Sequence, residues 1–408
     1  MQKFAERELA MNSFRQKLIN KINEKQDEMI EIRHHLHQHP EISWKEHETE
    51  AYIYNYYKDL DCEVTRNVGD GLGLTVLIDS GNPGKTVALR ADFDALEIQE
   101  KTNVPYISQI SGVMHACGHD AHTAYLMVLA KSLIELKSEF NGKVLIIHQN
   151  AEEVTPGGAI GMVNDNVMNG VDAVFGAHVM TNGKLGEVKL CPGNAQTGRG
   201  NFKLTISGTA GHASTPQLAN DAILASAYFI TEVQSVISRR IDPFEMATIS
   251  INSIDGRGPV NAVNDHVEII ADLRAVSPET QKKVEVEIKR ILEGIKAGFA
   301  IDYEITFTYD YPVLHNNEEL CQMMDKVMQE TEIPELKDYS HCGPQAPSED
   351  FAEFALKVPG LFFYVGCTPE GKEETPHHNP YFYCDDGALI IAAKTMASLV
   401  DEYLNKDK

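Results

Sequence analysis

Four short segments of this sequence concentrate the side chains that bind transition metals. They are Met114-His115-Ala116-Cys117-Gly118-His119-Asp120-Ala121-His122, Gln149-Asn150-Ala151-Glu152-Glu153, Gly176-Ala177-His178 and Thr375-Pro376-His377-His378-Asn379-Pro380. Thiolate, imidazole and carboxylate together suit zinc, manganese, cobalt or nickel. Cys117 and His119 can reach one centre if the backbone between them is irregular, and Gly118 permits that. Any one of these residues alone reads more simply, as a buried thiol, a hydrogen-bonded core histidine or a pair of solvated imidazoles. Together they favour a shared metal site. Glu152 and Glu153 add a second capacity, because neighbours in an extended segment point in different directions. One carboxylate can bind metal while the other faces substrate and moves protons. Metal-assisted hydrolysis needs that division between Lewis acid and base. Asp92-Phe93-Asp94 offers two carboxylates, either of which could orient a metal-bound imidazole.

Strands and helices must bring these segments together. Apolar spacing predicts a helix from Phe14 to about Gln38, ended by His39-Pro40. Short apolar runs at Leu72–Ile78, Thr86–Arg90, Val144–His148 and Ala173–His178 predict strands, and residues 121–136 predict a buried helix. Strands alternating with helices imply an α/β sheet, with the metal-type residues at strand ends and in the loops that follow. From about 198 to 310 the pattern changes to strand 201–207, helix 221–239, strands 246–254 and 266–275, helix 278–297 and strand 303–308. That order, βαββαβ, is the split ferredoxin-like unit. The α/β pattern resumes with helix 317–330, strand 361–366 and helix 386–404. The expected organisation is a catalytic α/β domain in two parts, residues 1–197 and 311–408, interrupted by an α+β insertion at 198–310.

Composition narrows the partners. The 408 residues are 43% hydrophobic and 24% charged, the profile of a globular chain. A formal net charge of −24 argues against generic binding to nucleic acid or an anionic membrane. No uninterrupted apolar run reaches the ~18 residues of a membrane span. The N-terminal stretch lacks the apolar segment of a secretory signal, and its first ten residues could be an upstream start, with Met11 as the alternative initiator. Seven scattered cysteines without a CxxC pair suit a reducing cytoplasm.

The motifs RADFDALEIQE, MHACGHDAHT, AEE, GAHV, GHASTP and HHNP occur in that order, with RHHLHQHPE before them and SEDF (Ser348–Phe351) among them. Together they resemble the amidohydrolase branch of the co-catalytic metallopeptidases, which includes aminoacylases, hippurate hydrolase and indole-acetyl-amino-acid hydrolases. The resemblance runs from about residue 28 to the C-terminus. It implies a zinc-peptidase-like catalytic domain with an inserted ferredoxin-like lid that carries dimer contacts. It also implies two divalent ions per chain, zinc or manganese ahead of nickel or cobalt. By resemblance the metal ligands are Cys117, His119, Glu153, His178 and His378, the general base is Glu152, and Asp94 orients the site with Asp92 as competitor. His212 matches a lid histidine that approaches the substrate carbonyl, Asn261 a lid asparagine near the substrate, and Arg274 a lid arginine suited to a carboxylate. Two departures fall in the lid. Asn261-Ala262-Val263-Asn264-Asp265 lacks the family's proline, and Gln217 stands where many relatives have histidine.

The implied activity is hydrolysis of the amide in N-acyl amino acids or related small amides, through a metal-bound hydroxide with Glu152 as base. A dipeptidase or carboxypeptidase on the same site is the alternative within the class. A non-enzymatic metal-binding protein on the same fold is the alternative outside it. The expected partners are a small acyl amino acid or short peptide and a second copy of the chain, in a homodimer or a tetramer.

Overall fold

The computed structural model describes residues 13–405, so the expectations about residues 1–10 and Met11 lie outside the described residues. The chain divides into two compact units. One holds Met1–Gly193, His315–Gly343 and Asp350–Lys408, and the other Asn194–Leu314 and Pro344–Glu349.

The first unit opens with α1 (Phe14–Glu24) and α2 (Gln26–Gln38), where the apolar spacing had predicted one helix. Lys25 leaves helical geometry at φ −111° and ψ 16°. The break lets Met29, Ile32, Arg33, Leu36 and His37 form a separate buried stripe at the three- and four-residue spacing of a helix face. Next come α3 (His47–Tyr57), β1 (Glu63–Val68), β2 (Gly73–Asp79) and β3 (Thr86–Asp92). Then follow α4 (His119–Glu135), β4 (Lys143–Gln149), α5 (Gly158–Asn164), β5 (Ala173–Lys184) and β6 (Glu187–Leu190).

The second unit contributes β7 (Gly198–Ser207), α6 (Ala222–Arg240), β8 (Ala247–Asp255), β9 (His266–Ala275), α7 (Pro278–Phe299) and β10 (Asp302–Tyr311). Its four strands pair antiparallel in the order β8-β9-β7-β10. That is the ferredoxin-like arrangement implied by the βαββαβ order. Alternation explains the sheet: Val267, Ile269, Ala271 and Leu273 of β9 and Phe202, Leu204 and Ile206 of β7 are buried against α6 and α7. Asp221 and Ser277 cap these two helices by accepting the backbone N–H three residues on.

The chain returns to the first unit with α8 (Glu318–Glu330), β11 (Asp338–His341), β12 (Gly360–Thr368) and α9 (Gly387–Asn405). The eight-stranded sheet runs β1-β2-β4-β3-β5-β12-β6-β11. Its centre, β4-β3-β5-β12, is parallel. Parallel strands are buried on both faces, and every residue of β12 is buried. Helix α4 packs on this sheet with all its residues buried except Lys131 and Glu135. The carboxyl ends of β3 and β4 lie level with the middle of β5, and the chain carries Asp92, Gln149 and His178 there.

Candidate metal centre

Local backbone geometry aims the donors. Gly118 has φ +105°, and a Cβ on it would lie 2.3 Å from Val179 Cγ2, so only glycine fits between Cys117 and His119. The turn sets Cys117 just before α4 and makes His119 the first helical residue. Ala151, at φ +51°, bends the chain after β4. Its N–H donates to Glu46 Oε1 at 2.8 Å, and Glu152 and Glu153 follow. His378, at φ +57°, is tied to the Cys117 loop by its N–H to the Ala116 carbonyl at 2.8 Å.

The five side chains expected to ligate metal come together. Donor atoms of Cys117, His119 and His178 lie within 4.8 Å of one another, as do those of Cys117, Glu153 and His378, and those of His119, Glu152 and Glu153. Cys117 Sγ is 3.4 Å from His178 Nε2, and Glu153 Oε2 is 3.2 Å from His378 Nε2. Cys117 belongs to two of these groups, and so does Glu153.

Hydrogen bonds at Nδ1 of two rings turn the opposite nitrogens inward. His119 Nδ1 donates to the Asp94 carbonyl at 2.9 Å and to Asp94 Oδ1 at 3.0 Å. Its Nε2 then faces Asp92 Oδ2 at 3.6 Å, Glu153 Oε1 at 3.8 Å and Glu152 Oε2 at 4.0 Å. His178 Nδ1 donates to the Val179 carbonyl at 2.6 Å, which turns Nε2 toward Cys117. His119 Nε2 and Glu153 Oε1 are buried without a hydrogen-bond partner among the described residues. Unpaired buried polar atoms are costly, and a cation between them would satisfy both. The residues present therefore fit a metal.

Electrostatics follow from the same crowding. Burial alone would lower the His119 pKa, but Asp92, Asp94 and Glu153 outweigh it and hold the imidazole up at about 10. Burial, then Glu153, Glu152 and Asp92, push the Cys117 thiol well above its usual range. Burial, then His122 and His377, push His178 far down.

Between the two candidate orienting acids, Asp94 bonds His119. Its Oδ2 also accepts from the Glu153 N–H at 3.0 Å and the Ser43 hydroxyl at 2.7 Å. Asp92 is engaged elsewhere: Oδ1 bonds His122 Nδ1 at 2.6 Å and Oδ2 accepts from Arg90 at 2.7 Å. His122 Nε2 in turn accepts from the Val179 N–H at 2.9 Å, beside His178. His377 Nε2 accepts from the Thr181 N–H at 3.3 Å, and its ring packs on His178.

Residue types alone did not single out several supports. Arg33 and His37, within RHHLHQHPE, bond Asp120 at 3.2 and 2.9 Å and so hold the first turn of α4. Asp350, within SEDF, accepts from Arg90, Gln149 and the Ala159 N–H. Ser43 and Glu46 had no signal beyond lying near that early motif.

The three residues of the second unit have surroundings of their own. His212 is exposed, on a two-residue strand paired with Ala262–Val263, and its Nδ1 accepts from the Ser214 N–H at 3.1 Å. The Asn261 carbonyl accepts from the Ala213 N–H at 3.0 Å. Arg274 bonds Asp272 at 2.9 Å and the Ser348 hydroxyl at 2.8 Å.

This fold and donor set define a class, hydrolases that cleave amide bonds and are built like metallopeptidases. The chain belongs to peptidase family M20/M25/M40, whose model matches residues 88–402. It is 37% identical over 379 residues to a Bacillus subtilis protein named as an amidohydrolase, YhaA, covering 92% of this chain and 95% of that one. It is 33% identical to hippurate hydrolase of Campylobacter jejuni, covering 95% and 99%. A crystal structure named as an aminohydrolase, from methicillin-resistant Staphylococcus aureus, is similar at TM-score 0.93 and 47% identity, covering 96% of this chain and all of that one. The Bacillus subtilis YxeP protein, described as a dinuclear metal-binding peptidase of family M20, is similar at TM-score 0.82 and 29% identity, covering 94% and 99%.

Proposed function

We propose that this protein hydrolyses the amide bond of N-acyl amino acids or related small amides. Two divalent ions would be held by Cys117, His119, Glu153, His178 and His378, with Glu152 as general base. One observation carries the reading: these six side chains, drawn from four separate stretches of sequence, fall in overlapping groups of close donor atoms, in which His119 Nε2 and Glu153 Oε1 are buried without a partner among the described residues. The name of hippurate hydrolase, an enzyme of an N-acyl amino acid, supports the substrate class.

When bound, the ions supply Lewis acidity toward the amide carbonyl and make an attacking water more acidic. The chain's own residues do the rest. Glu152 takes the proton of the attacking water and returns it to the leaving amine nitrogen. Asp94 fixes His119 in the tautomer that presents Nε2. The cluster meets solvent at His378, whose side chain is 51% exposed, while Glu153 beside it is 6% exposed. His212 is the proposed donor to the developing oxyanion. Asn261 and Arg274 are proposed to contact substrate, with Arg274 holding its carboxylate. A cytoplasmic homodimer completes the proposal on family likeness.

The test compares N-acyl amino acids of increasing acyl length with dipeptides, using metal-reconstituted protein. Release of free amino acid from the acyl substrates supports the reading. Cleavage of dipeptides alone selects the dipeptidase alternative. Hydrolysis of neither by metal-loaded protein overturns the proposal.

A further inference from the structure

Two thiols away from the metal-type cluster lie against each other. Strands β6 and β11 pair in parallel, with Leu190 opposite His341, so the next residues, Cys191 and Cys342, lie opposite one another. The Cys342 N–H donates to the Leu190 carbonyl at 2.9 Å, which extends the ladder to this position. Residues opposite one another in a sheet point to the same face. Paired strands lie about 4.8 Å apart, within the roughly 4.4–6.8 Å Cα separation that a disulfide spans. Each thiol is the largest influence on the other's ionisation.

The pair is asymmetric. Cys342 is half-buried, whereas Cys191 is 2% exposed. The neighbouring Cys191 thiol, with Lys189 and His341 nearby, draws the Cys342 thiol below its usual range against the effect of burial. A thiolate-forming, accessible cysteine beside a resolving thiol is the arrangement peroxide-sensing proteins use. Cys321 lies close to Cys191 as a third sulfur.

We propose that Cys342 and Cys191 form a reversible disulfide, with Cys342 as the thiol that reacts with hydroperoxide and Cys191 as the thiol that resolves it. The Cys342 thiolate attacks a peroxide oxygen. The O–O bond breaks, hydroxide leaves and takes a proton to become water, and Cys342 becomes a sulfenic acid. Cys191 sulfur then attacks Cys342 sulfur. The S–O bond breaks, and the departing hydroxide takes the Cys191 proton as a second water. Two electrons pass from the sulfur pair to the peroxide, and an external dithiol returns them. The chain leaves the first unit after Gly193 and again after Gly343. The bond would therefore join two segments that lead out of that unit. The proposal does not depend on the hydrolytic reading.

The test uses full-length, metal-loaded protein treated with equimolar hydrogen peroxide, alkylated, digested without reductant and analysed by mass spectrometry. A cross-linked peptide pair holding Cys191 and Cys342, lost on adding dithiothreitol, is expected. Cys191→Ser should accumulate a dimedone adduct on Cys342. Cys342→Ser should leave Cys191 unmodified, and Cys321→Ser should leave the cross-link intact. A cross-link from Cys342 to Cys321 overturns the proposal. So does oxidation of other cysteines while Cys342 stays reduced, in a wild-type protein that needs no variant to fold.

Discussion

Asp94 grips His119 twice, through its backbone carbonyl at 2.9 Å and its carboxylate Oδ1 at 3.0 Å, both at Nδ1 of the ring. The opposite nitrogen, Nε2, is thereby fixed toward the carboxylates of Asp92, Glu152 and Glu153. Asp94→Ala keeps the carbonyl contact and loses the carboxylate, along with the bond to the Glu153 N–H. Metal affinity is expected to fall about 10–100-fold. Competitive chelation followed by measurement of bound metal checks this independently of turnover.

Glu152 has the complementary signature. It sits 4.0 Å from His119 Nε2, in a group with Glu153. Glu152→Gln should keep the metal content of wild type and lower kcat by at least about 100-fold, the lower end of general-base contributions. Near-normal kcat in that variant, at unchanged metal content, would remove Glu152 from the proposed role.

Metal removal should cost stability as well as activity. A ligand present at a thousandfold over its Kd stabilises the folded state by about 4 kcal/mol. Chelation should lower the first thermal transition by several degrees and abolish hydrolysis, and a divalent ion should restore both. Calorimetry with and without chelator reads the first effect. Unchanged activity after complete metal loss would end the metal-dependent account.

His37 gives a pH dependence. Burial would lower its pKa, but hydrogen bonds to Asp120 and Glu100 outweigh this and the neighbouring Arg33, raising it to about 9. Tyr106 and His115 also face the ring. A base whose pKa is raised on folding contributes fully below its unfolded value near 6.5 and loses that contribution as pH rises through 9. Stability should decline between those values by up to about 3 kcal/mol from this group. His37→Gln should flatten the slope in denaturant titrations across that range.

Glu46 behaves differently because its carboxyl is buried with only one oxygen engaged. Burial first, then Asp94, raises its pKa to about 8, while Oε1 accepts from Ala151 N–H and Oε2 has no partner among the described residues. Glu46→Gln keeps an acceptor and removes the charge, so stability at pH 8 should match or exceed wild type. Glu46→Ala leaves the Ala151 N–H unpaired and should cost about 1–3 kcal/mol. Chemical denaturation of both variants at pH 5 and pH 8 separates the two effects.

Much of the architecture is visible in periodicity. Strand β9 and the α7 stripe of Val284, Ile288, Leu292 and Ile295 alternate clearly, and the structure keeps them. Helix α3 escapes because its buried face consists of Thr49, Glu50, Ile53 and Tyr57, only two of them apolar. Strands β6 and β11 escape because four residues are too few to show a period. The buried supports Ser43, Glu46 and Arg90 are polar residues, and polarity in a sequence reads as solvent exposure.

The sequence by itself determined the inventory: a thiol, histidines and paired acids in four segments, each near an element end, with a βαββαβ insertion between them. Side-chain type and local spacing are properties of the chain, so they can be read before it folds. Between chemically equal neighbours side-chain type is silent, and where family resemblance favoured Asp94 and His378 the tertiary structure supplies the contacts. Asp94 takes His119 while Asp92 is held by Arg90 and His122, and His378 meets Glu153 while His377 packs behind His178. The same holds for Cys191 and Cys342, which a strand register sets opposite each other across 151 positions of sequence. These choices depend on direction and distance across the sheet, which neither composition nor spacing encodes.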